Sequence, residues 1–508
     1  MPRNSFGLTG PGAASKLFFL ASQTVRQPWT RESWRVSRRI VRDTTDARMT
    51  RTSPIYRFFC AFGFLLSLGI VSFLPAQSAP TPTRELLLNG LPVLYWQRPA
   101  DANLFMKLRL NSGAAFDLTG KAGTMALLAD ALFPDPATRE YVSEELGGRL
   151  EVTTTYDSID VTISGKASQL ERMIELLRNA ILGLNLSADS VNKLRDARIA
   201  QLGKAPLSNP VVADRAVATR LFGAFPYGRP AEGDLESLPK VERADLMLAQ
   251  ERLLHSDNAA LVVIGGIEKA RVMRALRQLL GPWQKADRVV PATFRQPNAP
   301  EERTLLISHA GTGTAEIRVA VRGLSRFDRD AIAASMLAEV ARQRWQAAVP
   351  ELSSASVRHE AHNLPGILIF AASVPAASAQ KALTAAQDVM KALAQMGPTP
   401  EELARAASAT LAEIGKRAGG ELDQIADTWL DSEMQKTPIT SNSAAEVSRV
   451  SGADIQRVAT RLFKDAKQAK VVLGDIEQLK TTVTNFEIPE AKPELKTATD
   501  PQKPARKP

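Results

Sequence analysis

Two stretches of this 508-residue chain repeat one order of patterns about 210 residues apart, and that duplication constrains the fold more than any other feature. The stretch His255–Glu268 (HSDNAALVVIGGIE) is answered by Lys467–Glu477 (KQAKVVLGDIE). Upstream, Leu104–Asn111 (LFMKLRLN), a polar turn and a helix-like Ala122–Phe133 correspond to Ala315–Arg322 (AEIRVAVR), a turn and Asp328–Val349. Between these pairs, Arg149–Gly165 alternates as two strands before a helix from Ala167, and Ser354–Val374 does the same before a helix from Ala377. A repeat this long is a whole domain, because solenoid units run about 20–50 residues. Strands separated by runs of helix, without strict alternation, predict two homologous α+β domains, each a mostly antiparallel sheet with helices packed on one face.

The boundaries follow from composition. The proline-rich polar stretch 290–303 (VPATFRQPNAPEER) reads as a linker, and the Pro/Lys-rich segment 487–508 reads as a disordered tail. That leaves 80–289 and 304–486 as the two domains, each long enough to bury a core of its own.

Residues 1–79 read as a leader. The apolar run Phe58–Leu74, which holds the single cysteine Cys60, follows Arg51 and Arg57 and precedes PAQSAP. Basic, then apolar, then small residues is the order of an export signal, with cleavage expected near Ala79 and Met49 as the expected start. The run also approaches the length of an uncleaved membrane anchor, so 58–74 stands as signal or anchor. A transit peptide is the weaker reading of the leader. Either export route places the protein in the periplasm or beyond. The leader holds 11 Lys+Arg against 3 Asp+Glu, which leaves 53 against 51 for residues 80–508. The net charge of +10 is therefore mostly a leader property, and the remainder lacks the single-signed surface that nucleic-acid binding needs.

Most familiar chemistries are missing. There is no Gly-x-Ser-x-Gly elbow, no phosphate loop ending in Gly-Lys-Ser/Thr, and no cysteine after residue 79. Gly311-Thr-Gly313 reads as a turn before a strand. His359 and His362 fall on a predicted strand, where residues three apart point to opposite faces, so they read as ordinary hairpin positions and not as a metal pair.

The ordered set Leu88–Tyr95 (LNGLPVLY), Ser112–Asp117 (SGAAFD), Gly123–Phe133, Phe225–Pro230 (FPYGRP) and Leu261–Gly266 (LVVIGG) resembles the pitrilysin/insulinase family of zinc metallopeptidases over residues 84 to about 485. That resemblance implies half of a clamshell around an extended peptide, the other half coming from a zinc-bearing homologue as heterodimer or from self-dimerisation. The family's zinc motif, His-x-x-Glu-His, places two histidines on one helical face. Here Ala126 and Asp130 stand at the histidine positions and Ala129 at the base. Counting back from Ser208-Asn209-Pro210 puts Gln201, or Leu202, at the third ligand. With no donor set of three, this chain is expected to hold no metal, to lack catalysis alone, and to leave zinc to its partner.

The resemblance further implies a substrate-holding Arg at Arg344, with Arg342 as its neighbour, and puts Ala355 where a substrate-holding Tyr would be. It also implies backbone pairing of peptide along Arg149, Leu150, Glu151, Val152 and Thr153, a stretch whose threonine-rich, period-two pattern fits either an exposed edge or an inner hairpin strand. Phe225–Arg229 is expected to form a turn, with Tyr227 and Arg229 packing locally. Two functions follow: an inactive subunit that confines peptides beside a zinc-bearing homologue, or a non-enzymatic scaffold or peptide-binding protein of the same fold.

Overall fold

The computed structural model describes residues 80–204, 207–286, 294–309, 313–419, 421–438 and 443–489. The leader, residues 290–293 of the linker, Gly311 and residues 490–508 of the tail lie outside the described residues.

The first half runs β1 (Thr83–Leu86), β2 (Pro92–Gln97), β3 (Asn103–Leu110), α1 (Thr124–Leu132), α2 (Pro136–Glu144), β4 (Arg149–Thr154), β5 (Ile159–Lys166), α3 (Leu170–Leu182), α4 (Ala188–Lys204), α5 (Asn209–Phe222), α6 (Arg243–Leu253), β6 (Ala259–Gly265) and α7 (Lys269–Leu279). The second runs β7 (Thr304–Ser308), β8 (Thr314–Arg322), α8 (Ala331–Ala348), β9 (Ser353–Glu360), β10 (Ile367–Pro375), α9 (Ala379–Gln395), α10 (Pro400–Gly419), α11 (Leu422–Gln435), α12 (Ser443–Arg449), α13 (Gly452–Phe463), β11 (Ala469–Gly474), α14 (Ile476–Thr482) and β12 (Phe486–Glu487).

Each half contributes one six-stranded sheet, ordered β1-β2-β6-β3-β5-β4 and β12-β7-β11-β8-β10-β9. Five of the six positions match, the parallel pair β2·β6 having its counterpart in β7·β11, while the outer position differs: β1, from the start of its half, runs antiparallel to β2, and β12, from the end of its half, runs parallel to β7. The duplicated sequence thus folds as a duplicated sheet. One face of each is packed by its own helices. Leu104, Met106, Leu108, Val161 and Ile163 meet Met125, Leu128, Met173, Leu177 and Leu276 in the first half. Ile317, Val319, Val321 and Phe370 meet Leu337, Trp345, Leu383 and Val458 in the second.

The other face of each sheet is covered by a helix from the opposite half. Helix α11 lays Ile425, Ala426, Trp429 and Leu430 on Leu94, Phe105, Val262 and Ile264 of the first sheet. Helix α5 lays Val217, Leu221 and Phe222 on Ala320, Ile369 and Val471 of the second. On both helices the apolar residues recur at helical spacing and form one stripe. The exchange explains the charges in the central strands. Lys107 of β3 is buried and ion-pairs with Asp427 of α11 at 2.5 Å. Its counterpart in β8, Arg318, is likewise buried and ion-pairs with Asp214 of α5. The linker is packed too, since Phe294 sits edge-on to Phe116 and Phe225 with ring centroids 6.4 and 6.1 Å apart.

Candidate functional site

Helix α1 starts where only glycine serves. Gly123 has φ +98, and a Cβ there would meet the Leu238 side chain at 2.6 Å and the Gly233 backbone at 3.0 Å. Asp117 caps this start, its Oδ2 accepting from Gly123 N at 2.7 Å and its Oδ1 from Met125 N at 2.8 Å. Burial pushes the Asp117 carboxyl up to about 7, against the pull of those two N–H groups and of Arg229.

One turn into α1 are the positions that the zinc motif would use. Ala126 and Ala129 are buried and carry no donor atom. Asp130 is half-buried and is held by a bidentate pair with Arg198 of α4, with Nε to Oδ2 at 2.7 Å and Nη2 to Oδ1 at 2.8 Å. Arg198 also donates to the Ala126 and Glu232 carbonyls at 3.3 Å each. The residue of α4 that faces Asp130 is therefore Arg198 and not the expected Gln201 or Leu202. Gln201 is exposed, and Leu202 packs against the apolar cluster of Leu127, Val191 and Leu246. A zinc ion does not fit this donor set, because the one carboxylate is already neutralised and a guanidinium stands beside it. Among the described residues no group of three or more His, Cys, Asp and Glu is placed to hold a metal.

Arg344 of α8 is engaged within its own half. Its Nε and Nη2 donate to the Glu402 carboxylate at 2.8 and 2.7 Å, and Nη2 also reaches the Gly397 carbonyl at 3.1 Å. Arg342 pairs with Glu339 one turn earlier. Ala355 is a half-buried residue of β9 packed on the second core.

The topology makes β4 an edge strand, which decides between the two readings of its pattern. It pairs with β5 from Arg149↔Ser164 to Thr154↔Ile159 without a bulge. Leu150 and Val152 turn toward the helical core, while Arg149, Glu151 and Thr153 are exposed on the opposite face. Its second row of backbone groups has no strand beside it in this sheet. The corresponding edge in the second sheet, β9, is irregular: Ser354 has φ 52, and its register with β10 shifts between Ala371 and Ser373. Of the two homologous edges, only β4 offers a regular template.

The histidines do not converge on a metal. His359 Nε2 accepts from Leu324 N at 2.9 Å, and burial pushes its pKa down to about 4. His362, just past β9, lies 3.5 Å from Asp157 through Nδ1 and packs its ring 4.5 Å from Tyr227. Tyr227 does more than pack locally: its hydroxyl donates to Asp157 at 3.2 Å and accepts from Leu364 N of the second half at 3.0 Å. Arg326 adds a donor to Asp157 at 3.0 Å and another to Asp431 of α11 at 3.1 Å. Burial acts to raise the Asp157 pKa, but His362, Arg326 and the Asn363 N–H outweigh it and hold the carboxyl below its usual range. Beside this junction, Arg109 grips Asp160 at 2.8 Å, Asp427 at 2.6 Å and Asp431 at 2.7 Å. Of these junction residues the sequence itself points to Tyr227 and His362, as local packing and as a hairpin position, but not to Asp157, Arg326, Arg109, Asp160, Asp427 or Asp431. The signal available was a pair of basic residues, Lys107 and Arg109, on one face of an otherwise apolar strand, facing a helix with Asp at 423, 427 and 431.

The class these features define is a duplicated α+β fold in which the helix that would carry a zinc motif offers one carboxylate, already paired with an arginine. Comparison with known proteins agrees. Residues 240–410 match the family described as the peptidase M16 inactive domain. The chain is 23% identical over 222 residues to cytochrome b-c1 complex subunit 1, mitochondrial, of Homo sapiens, covering 42% of this chain and 46% of that protein. The chain thus spans about half the length of the curated relatives it matches. Among solved structures, a protease from Helicobacter pylori superposes with a TM-score of 0.68 at 17% identity, covering 78% of this chain and 100% of that one. A peptidase M16 inactive domain from Pseudomonas fluorescens gives a TM-score of 0.67 at 16% identity, covering 78% and 98%. The resemblance read from the motifs agrees with these matches: the chain is similar to the peptidase M16 inactive domain in sequence over residues 240–410 and in fold.

Proposed function

We propose that this chain is an exported, catalytically inactive M16-type subunit that binds extended peptides along β4 and closes a peptide-degrading chamber with a zinc-bearing homologue. The observation that carries this is the contrast between two parts of one lobe. The metal position is filled by the Arg198–Asp130 pair, whereas the neighbouring edge strand is regular and open. A protein kept for binding retains the second and loses the first. Zinc belongs to that homologue, and a self-dimer of this chain, the alternative assembly, would carry none. The leader's basic residues, apolar run 58–74 and small residues support export to the periplasm, with that run as a cleaved signal or a membrane anchor. Among the described residues no helix is long and apolar enough to cross a membrane.

A second reading, a scaffold acting without any protease, is favoured by two observations. The residue at the substrate-holding tyrosine position is Ala355, and Arg344 is occupied by Glu402. One relative is itself a subunit of the cytochrome b-c1 complex. A pull-down of the tagged protein from its native envelope fraction, with zinc analysis and a peptide-cleavage assay on the eluate, separates them. Elution with a His-x-x-Glu-His homologue, and cleavage that needs both chains, is the expected result. Elution alone, metal-free and inert, leaves the scaffold, and stoichiometric zinc with cleavage by this chain alone overturns both.

A further inference from the structure

A cleft of about 230 Å³ opens where the start of β4 meets the first turn of α11. It is smaller than the roughly 300–1,000 Å³ of small-molecule sites, so it has room for one side chain and not for a cofactor. Phe105 and Leu422 give it an apolar lining, and Ser164, Asp101, Glu421 and Asp423 a polar one, with Asp423 already accepting from Lys107 at 3.2 Å. Arg149, the first residue of β4, also lines it. Asp101 is taken up by Arg98 at 3.3 Å. Arg149 is exposed, its backbone N–H donating to Ser164 Oγ at 3.1 Å, and Glu421 is exposed and makes no side-chain cap bond to the helix that it precedes.

The strand register ties the cleft to the open edge. Arg149 pairs with Ser164, which pairs with Phe105, so all three point to the α11 face of the sheet. A peptide added as a seventh strand beside β4 would send alternate side chains to that same face, and the one level with Arg149 would stand at the cleft mouth. We propose that this cleft is a specificity pocket for one large aromatic side chain, tyrosine above all, of an extended peptide docked on β4. The chemistry matches group by group. The apolar lining takes the ring, and the Arg149 guanidinium offers its flat face to the π-cloud. The Glu421 carboxylate lies toward the electropositive ring edge and can accept from a phenol hydroxyl.

This inference rests on the peptide-binding reading of β4, and the test separates the two. A labelled, end-capped nine-residue Ser/Thr/Val peptide is titrated by fluorescence anisotropy, with a single Tyr, Lys or Ala moved through it, while amide exchange of β4 is followed in parallel. The expected result is protection of the β4 amides by every binding peptide and one register at which Tyr binds about tenfold tighter than Ala, a ratio that burial of part of one ring supplies. In Asn103→Trp, a substitution at an exposed residue of the cleft lining, that ratio falls to about one. Binding with β4 protection but no Tyr preference, or a preference for Lys, overturns the pocket and leaves the edge strand standing. Failure of every peptide to bind or protect β4 overturns both.

Discussion

Replacing Trp429 of α11 by alanine is expected to destabilise the whole chain, although the side chain lies on a helix of the second half and packs on the sheet of the first. Trp429 is 2% exposed, lodged among Leu94, Phe105, Val262 and Ile264, with Trp96 edge-on at 6.0 Å and 74°. An indole of that kind buries roughly 150–250 Å², worth about 4–6 kcal/mol at ~25 cal/mol per Å². Measured Trp→Ala costs run about 3–5 kcal/mol because the site partly relaxes. A loss of about 4 kcal/mol is therefore expected, read from guanidinium unfolding followed by far-UV circular dichroism. The reciprocal substitution, Leu221→Ala on α5, removes the matching cover from the second sheet and costs about 2–5 kcal/mol. Since each half wears the other's helix, both variants should keep a single transition and move it. A loss below about 1 kcal/mol, or two resolved transitions of which only one shifts, would refute the reciprocal cover.

Other outcomes follow from the charges. Lys107→Met leaves Asp160, Asp423 and Asp427 short of a cation that is 5% exposed, and should cost about 3–5 kcal/mol, whereas Lys107→Met with Asp427→Leu should recover most of it. Equal losses in the single and double variants would mean the ion pair is incidental. Asp117 and His359 pull stability in opposite directions over one pH window. The folded Asp117 carboxyl, near 7, takes up its proton before the unfolded chain does, so its contribution grows as pH falls from about 7 toward 4. His359, near 4 when folded, lets the unfolded chain protonate first, so its contribution is lost as pH falls from about 6.5 toward 4. Unfolding midpoints at pH 4.5 and 7.5 should therefore diverge, with Asp117→Asn losing and His359→Gln gaining stability toward acid, each by about 3 kcal/mol relative to the parent. Parallel behaviour of both variants and the parent would show that neither group titrates as its surroundings imply.

The duplication was legible because a sheet imposes period two on its strands and both copies kept it, down to LFMKLRLN and AEIRVAVR. That positions 126 and 129 offer no metal donor was legible as well, since alanine carries none whatever surrounds it. What faces Asp130 was not. Arg198 on α4 reads as one more helix charge, and only the convergence of α1 and α4 shows that it closes on Asp130. The exchange of α5 and α11 escaped for a similar reason. An apolar stripe states that a helix face is covered without naming the sheet that covers it. The edge position of β4 needed topology, because an alternating strand has the same sequence at an edge as beside one.

The exchange of covering helices has a consequence for ancestry and symmetry. Lys107 with Asp427 and Arg318 with Asp214 are the same contact made twice, in opposite directions, as across a two-fold axis. A single half has one uncovered sheet face and one helix that reaches away from it. It can satisfy both only by meeting a copy of itself, each protomer lending its helix to the other. The linker that joins the halves turns such an isologous pair into an intramolecular one, freeing each half to diverge while the contact between them is kept.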